Sequence, residues 1–166
     1  MNRAGLQTPL GPITLAEENG VVTALDWYAS PAGASDLLHE ACSQLTAYFA
    51  GKLQVFDLPL GFGEGFQAKV RRAMAAIPYG DTRTYGEISR DLEAPAQAIG
   101  QACGANPLPI LIPCHRVLGV KGLGGFSAKG GVETKVFLLR LEGAAQLLIY
   151  APACLNAAAL VTIPAS

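Results

Sequence analysis

Cys114 and His115 stand side by side in the string Asn106-Pro107-Leu108-Pro109-Ile110-Leu111-Ile112-Pro113-Cys114-His115-Arg116-Val117. A proline fixes the backbone ahead of the thiol and an imidazole follows it directly, which makes Cys114 a candidate nucleophile. The thiolate is the reactive form, and a free cysteine with a pKa near ~8.5 is only a few per cent ionised at pH 7. Bringing that pKa to neutrality takes ~1.5 units, roughly 2 kcal/mol of preferential anion stabilisation, and the neighbouring imidazole can supply it. Successive side chains on an extended strand point to opposite faces, so the pair works only where the backbone turns or where a water bridges sulfur and ring. The bracketing prolines predict a turn. Taken alone, a Cys-His dipeptide reads more readily as a buried structural cysteine beside a surface histidine, and it is the surrounding string that reverses this.

Periodicity outlines the elements that must position this string. Asn19-Gly20 between the runs Leu6–Ala16 and Val21–Trp27 is a hairpin signature, which places antiparallel strands at the start of the chain. From Ala34 to Ala50 the residues Leu38, Ala41, Leu45, Tyr48 and Phe49 recur at helical spacing, Gly51 provides the stop, and His39 reads as a solvated position. Gln54–Leu58 can add an edge strand, and the Pro- and Gly-rich run Leu58–Gly65 reads as a linker. Phe66, Val70, Ala73 and Ile77 predict a helix that ends at Pro78-Tyr79-Gly80. Thr84 followed by Glu87 forms a capping box for a short helix over Tyr85–Leu92, and another helix runs from Pro95 to about Cys103. The surface of that second helix is small: Ala96, Ala98, Gly100, Ala102 and Gly104. Two short helices on a tight turn suit a helix-turn-helix whose low relief lets its backbone approach DNA without reading bases; a helical hairpin packed through Ala and Gly fits the spacing as well. Gly119–Gly131 is a glycine-laden loop containing Ser127, able to wall a pocket but lacking the Gly-Lys-Ser/Thr ending of a phosphate cradle. Val132, Val136 and Leu139 predict a last helix ending at Glu142-Gly143.

Composition narrows the class. With 166 residues, 51% hydrophobic and 15% charged, the chain can bury one core or two small ones. Its four cysteines show no C-x-x-C spacing and it has two histidines, so neither a zinc framework nor a disulfide scaffold is indicated; with no secretory signal at the N-terminus, a cytoplasmic protein is expected. A net charge of −1 excludes a large electrostatic grip on nucleic acid, leaving local contact through Lys69, Arg71, Arg72, Arg83 and Arg90. From Ala144 to Ser166 no residue is charged, but Pro152, Asn156 and Pro164 interrupt the apolar run, which reads as a tail of unassigned role rather than a membrane span.

The stretch from Asn106 to Val117 resembles the active-site signature of the O6-alkylguanine-DNA alkyltransferases, suicide proteins that take alkyl groups from DNA onto their own cysteine. The resemblance covers Phe66–Gly143 with specific motifs and the preceding elements more loosely. It implies an α+β protein in two parts: an N-terminal ribonuclease H-like α/β domain over residues 1–60, and a C-terminal winged-helix or helix-turn-helix domain over 61–145 for DNA binding and alkyl transfer. Residues 146–166 form the tail. The implied reaction is DNA repair by direct reversal. A methyl or small alkyl group passes irreversibly and stoichiometrically from O6-alkylguanine, or O4-alkylthymine, to Cys114, after the nucleotide is turned out of the duplex.

By the same resemblance Cys114 is the nucleophile, His115 a water-mediated base and Glu142 the carboxylate that orients it. Asn106 braces the turn between helix and active-site strand, Tyr85 donates to the everted purine, and the backbone of Ser127 contacts O6. Ala96, Ala98 and Gly100, with Arg116 and Val117 beyond the nucleophile, belong to the surface for substrate and DNA. Gln97 stands where the family has an arginine that fills the hole left by the flipped base; having no charge, it implies weaker DNA affinity. No metal and no cofactor are implied, the partner is double-stranded DNA carrying O6-alkylguanine, no membrane is involved, and a monomer is expected. The rival from another class, a lesion-sensing DNA-binding protein without transfer, lacks the cysteine that this chain retains.

Overall fold

The structure is a computed structural model that describes residues 2–31, 35–119, 122–123 and 130–144. The chain divides into two compact units, Met1–Phe62 and Gly63–Ser166. In the first, β1 (Asn2–Thr8), β2 (Gly11–Glu18) and β3 (Val21–Asp26) form an antiparallel sheet in the order β1-β2-β3. Both residues of the Asn19-Gly20 turn have positive φ, 52° and 80°, the conformation that a right-twisted two-residue hairpin requires. A further turn at Pro9-Leu10 cuts the first apolar run into two strands; Thr8 Oγ1 closes it by accepting from Leu10 N at 3.1 Å.

Helix α1 (Asp36–Phe49) starts where Ser35 accepts from Leu38 N, and Gly51 at φ 75° follows its end. Its buried residues Leu38, Ala41, Leu45 and Tyr48 face a sheet that buries Ala4, Ile13, Leu15, Val22 and Leu25, while His39 is exposed. The edge strand expected over Gln54–Leu58 does not form. Gln44 holds both Asp57 N and Asp57 O, at 2.9 and 3.1 Å, and the Phe56 ring lies 5.3 Å from that of Tyr48. Pairing to the sheet comes instead at Leu60, where Val22 N donates to Pro59 O and Gly61 N donates to Val22 O.

In the second unit, α2 (Gly65–Ala75) buries Ala68, Val70, Arg71 and Met74, whereas Phe66, expected in its apolar stripe, is 39% exposed. Arg71, expected among the DNA-facing cations, lies on the buried side and donates to Gln67. A two-residue strand β4 (Arg83–Thr84) leads into α3 (Tyr85–Leu92), whose capping box of Thr84 and Glu87 is complete. Glu93 ends α3 in the left-handed region, and α4 (Ala96–Gly104) packs against α3 and α2. β4 pairs in parallel with β5 (Val117–Leu118), which follows the nucleophile string directly. Helix α5 (Val132–Leu141) closes the unit, with Val136 and Leu139 packed on Leu118, Leu123 and Ala144. Among the described residues, no helix is long and apolar enough to cross a membrane.

Candidate active site

The nucleophile string is folded by one amide. Asn106 Nδ2 donates to Ile112 O at 2.9 Å and its Oδ1 accepts from Leu108 N at 3.1 Å, so a single side chain ties both ends of the loop. Leu108, Ile110 and Ile112 are at most 1% exposed, which anchors the loop from beneath. The run is a series of turns, not the expected active-site strand: Ile112 N donates to Leu108 O, and Ile110 sits at φ 74°, a conformation costly for a β-branched residue. Cys114–Arg116 then make one turn of 3-10 helix, which rotates successive side chains by about 120° instead of alternating them across a strand. The predicted turn at Cys114-His115 is therefore present.

Cys114 is 9% exposed, and burial pushes its thiol up from the ordinary value. A hydrogen bond from the Asn106 side chain, the positive charge of Lys135 and the backbone N–H groups of Cys114 and His115 oppose that rise. The imidazole is not among them, which corrects the expectation that His115 supplies the anion's stabilisation. His115 is fully buried, with Nε2 2.8 Å from Glu142 Oε2. Burial holds the imidazole neutral, so Nε2–H is the donor in that bond. His115 Nδ1 is buried without a hydrogen-bond partner among the described residues.

Glu142 also meets a cation. Arg116 Nε donates to Glu142 Oε1 at 2.8 Å and Nη2 donates to Oε2 at 3.0 Å, while Nη1 donates to Ile77 O at 2.6 Å. Burial alone would raise the Glu142 carboxyl; the bonds from His115 and Arg116 hold it down to about 2. Because His115 is neutral, the compensating charge is that of Arg116. Arg116, expected at the DNA, is thus an internal brace at 6% exposure, and Val117, expected beside it, is fully buried in β5. Gly80, at φ 84°, brings the turn after α2 so close to Glu142 O that an added Cβ would lie 3.2 Å from it.

Tyr85, at the first position of α3, is partly buried, and its phenol is pushed up to about 12 by burial, then by the charges of Cys103 and Cys114. It is a donor at neutral pH. On α4 the residues Ala96 and Gln97 are exposed, Ala98 and Gly100 partly so, and a Cβ on Gly100 would meet nothing within 4 Å. Ser127 lies outside the described residues, as does most of its loop. The basic cluster is thinned further by Arg83, which pairs with Asp91 at 2.6 Å and Glu87 at 3.5 Å.

Sequence reasoning missed Lys135, which is 0% exposed, donates from Nζ to Val117 O at 2.6 Å and lies 6.0 Å from the centroid of the Tyr85 ring. Burial pushes its ammonium down to about 8, against the pull of the Cys114 and Cys103 thiolates. The signal was available: Lys135 falls three residues after Val132 and four before Leu139, on the apolar face of the predicted helix.

Residues 65–144 match the family profile described as 6-O-methylguanine DNA methyltransferase, DNA binding domain, and residues 1–62 match its ribonuclease-like domain. The methylated-DNA–protein-cysteine methyltransferase of Mycobacterium bovis is 42% identical over 153 residues, covering 82% of this chain and 89% of the relative. That of Methanosarcina acetivorans is 41% identical over 160 residues, covering 86% and 99%. Among solved structures, the O6-methylguanine methyltransferase of Mycobacterium tuberculosis superposes with a TM-score of 0.76 at 40% identity, over 92% of this chain and 96% of that one. A Mycobacterium tuberculosis OGT in complex with DNA gives 0.75 at 42% identity, over 86% and 92%. With both parts of the chain matched and the thiol, imidazole and carboxylate of the motif in place, the chain belongs to the methylated-DNA–protein-cysteine methyltransferase family.

Proposed function

We propose that this protein repairs DNA by moving a methyl or other small alkyl group from O6 of guanine, or O4 of thymine, onto Cys114. The observation that carries the reading is the convergence of a buried thiol, its Asn106 bond and a phenol that stays protonated, all within electrostatic reach of one another. Sulfur attack on the alkyl carbon needs a near-linear approach within ~3–3.5 Å, which a stacked and paired base does not permit, so the nucleotide is turned out of the duplex first. The S–C bond then forms as the C–O6 bond breaks, and its electron pair leaves with the purine. Tyr85, donating to the ring, offsets the developing charge. His115 takes the thiol proton through a water at Nδ1, the nitrogen that its bond to Glu142 leaves unused. The product is a thioether, so each chain acts once.

In this reading the second unit carries both DNA binding and transfer, on α3, α4 and the turn at Cys114, while the first is a companion domain. Double-stranded DNA is the partner, approached by the low outer face of Ala96, Gln97, Ala98 and Gly100, with Gln97 entering the space vacated by the flipped base. A cytoplasmic monomer is sufficient for this chemistry. A lesion sensor without transfer is disfavoured, because Cys114 is present and held by Asn106. Intact-mass analysis after mixing with duplex DNA containing O6-methylguanine tests the reading. A gain of one methyl on the Cys114 peptide, absent in Cys114→Ser, is expected; tight binding without a mass gain overturns transfer.

A further inference from the structure

Lys135 is a buried cation near the nucleophile that the mechanism above does not use. It sits mid-helix on α5 with no exposed surface, and its ammonium is fixed by a 2.6 Å bond to Val117 O, three residues past the nucleophile. The groups that surround it come from every neighbouring element: Tyr85 on α3, Cys103 at the end of α4, Cys114 and His115 in the 3-10 turn. Arg116 and Glu142 neutralise each other within their own bidentate pair. Building an ammonium into an apolar interior is costly, and the cost falls when a group within its electrostatic reach becomes an anion; the Cys114 and Cys103 thiols are two such groups.

We propose that Lys135 is a positioning residue whose buried ammonium, anchored on Val117 O and beside Tyr85, is the standing counter-charge of the Cys114 thiolate. The proposal rests on reading Cys114 as the alkyl acceptor and adds to it the source of the anion's stability. The His115–Glu142 pair moves the proton away; Lys135 is what makes the ionised sulfur tolerable once the proton has gone. Cys103 shares the same cation and is a competitor for it, so its own thiol is held well up, to about 12, by burial and then by the Cys114 charge, and Cys114 keeps the ammonium. In chemical terms the thiol proton leaves for the imidazole, and the ammonium already in place becomes the positive half of an ion pair with the sulfur it leaves behind.

The coupling is reciprocal by thermodynamic necessity, and that makes it testable from both ends without DNA. At the sulfur, the pH dependence of Cys114 carboxamidomethylation by iodoacetamide, followed by peptide mass, is compared in the wild type, Lys135→Arg and Lys135→Met. Loss of the charge should move the midpoint up by about one unit and cut the rate at neutral pH roughly tenfold, with the variants converging at high pH and arginine retaining most of the wild-type profile. At the nitrogen, NMR of 13Cε-labelled lysine follows the titration of Lys135 in the intact protein and in Cys114→Ser. Removing the thiolate should lower the Lys135 midpoint, and the lysine shift and the cysteine shift should agree. A Lys135→Met protein that unfolds cooperatively like the wild type but keeps its Cys114 profile overturns the proposal, and so does a Lys135 titration indifferent to Cys114→Ser. The second measurement stands even where Lys135→Met does not fold. Neither readout involves alkyl transfer, so a protein that passes both and yet gains no methyl from damaged DNA would refute the repair reading and leave the ion pair intact.

Discussion

At the scale of single residues, three neighbours in the chain divide their labour by direction. Cys114, His115 and Arg116 are consecutive, yet the sulfur is bonded to Asn106, while the imidazole and the guanidinium meet on Glu142. The motif made the identities legible and left the directions hidden, because a 3-10 turn and a strand send the same residue types to different places. The resemblance put Arg116 at the DNA, where a charged side chain is ordinarily exposed; here a carboxylate and the carbonyl of Ile77 satisfy it in the interior. Glu142→Gln should therefore be severe twice over. It leaves a buried guanidinium without its anion, at about 3–5 kcal/mol by chemical denaturation, and it should slow methyl transfer in whatever folded protein remains. Lys135 escaped notice for the opposite reason: a lysine on a predicted helix is usually solvated, and its place within the apolar stripe was the only sign otherwise.

At the scale of elements, sequence reading succeeded where local chemistry decides the backbone. The Asn19-Gly20 hairpin and the Thr84–Glu87 capping box needed nothing from tertiary contact. It failed at Gln54–Leu58, where β-favouring residues are held by a side chain from α1 and by an aromatic contact that no local pattern reveals. Thr84→Ala removes the acceptor for Glu87 N at the entrance to α3, directly beside Tyr85, and should cost about 1 kcal/mol in denaturant melts. On α4, Gly100→Ala has open space around the new methyl group and gains helix propensity, so the free protein should be stabilised by about 0.5–1 kcal/mol. If α4 lies against the duplex as proposed, the same variant should bind O6-methylguanine DNA more weakly in a gel-shift titration; unchanged affinity would place the DNA elsewhere. Gln97→Arg should strengthen that binding and make it more salt-dependent, since one more phosphate or base edge meets a cation.

At the scale of the whole molecule, acid sensitivity traces to one carboxylate. The Glu142 carboxyl stands at about 2 in the folded protein against an ordinary 4.5, so its contribution to stability is full above pH 4.5 and is lost as the pH falls towards 2. The difference corresponds to about 3 kcal/mol, and urea midpoints measured across that window should fall with pH in the wild type. In Arg116→Met, which loses the charge that holds the carboxyl down, the decline should be smaller and should finish at higher pH, because the folded value moves up towards 4.5. The chain divides at Phe62, inside the Pro- and Gly-rich run Leu58–Gly65, and the pairing of Leu60 with Val22 in that same run has no local signal in the sequence.

The seclusion of Cys114 bears on the shelf life of a molecule that fires only once. With nine-tenths of the residue withheld from solvent, dissolved peroxide and soft electrophiles have little access to it, and a premature discharge would be permanent. Acceptor capacity should accordingly survive storage in aerated buffer without reductant, and should drain away at urea concentrations that unfold the chain and expose the sulfur.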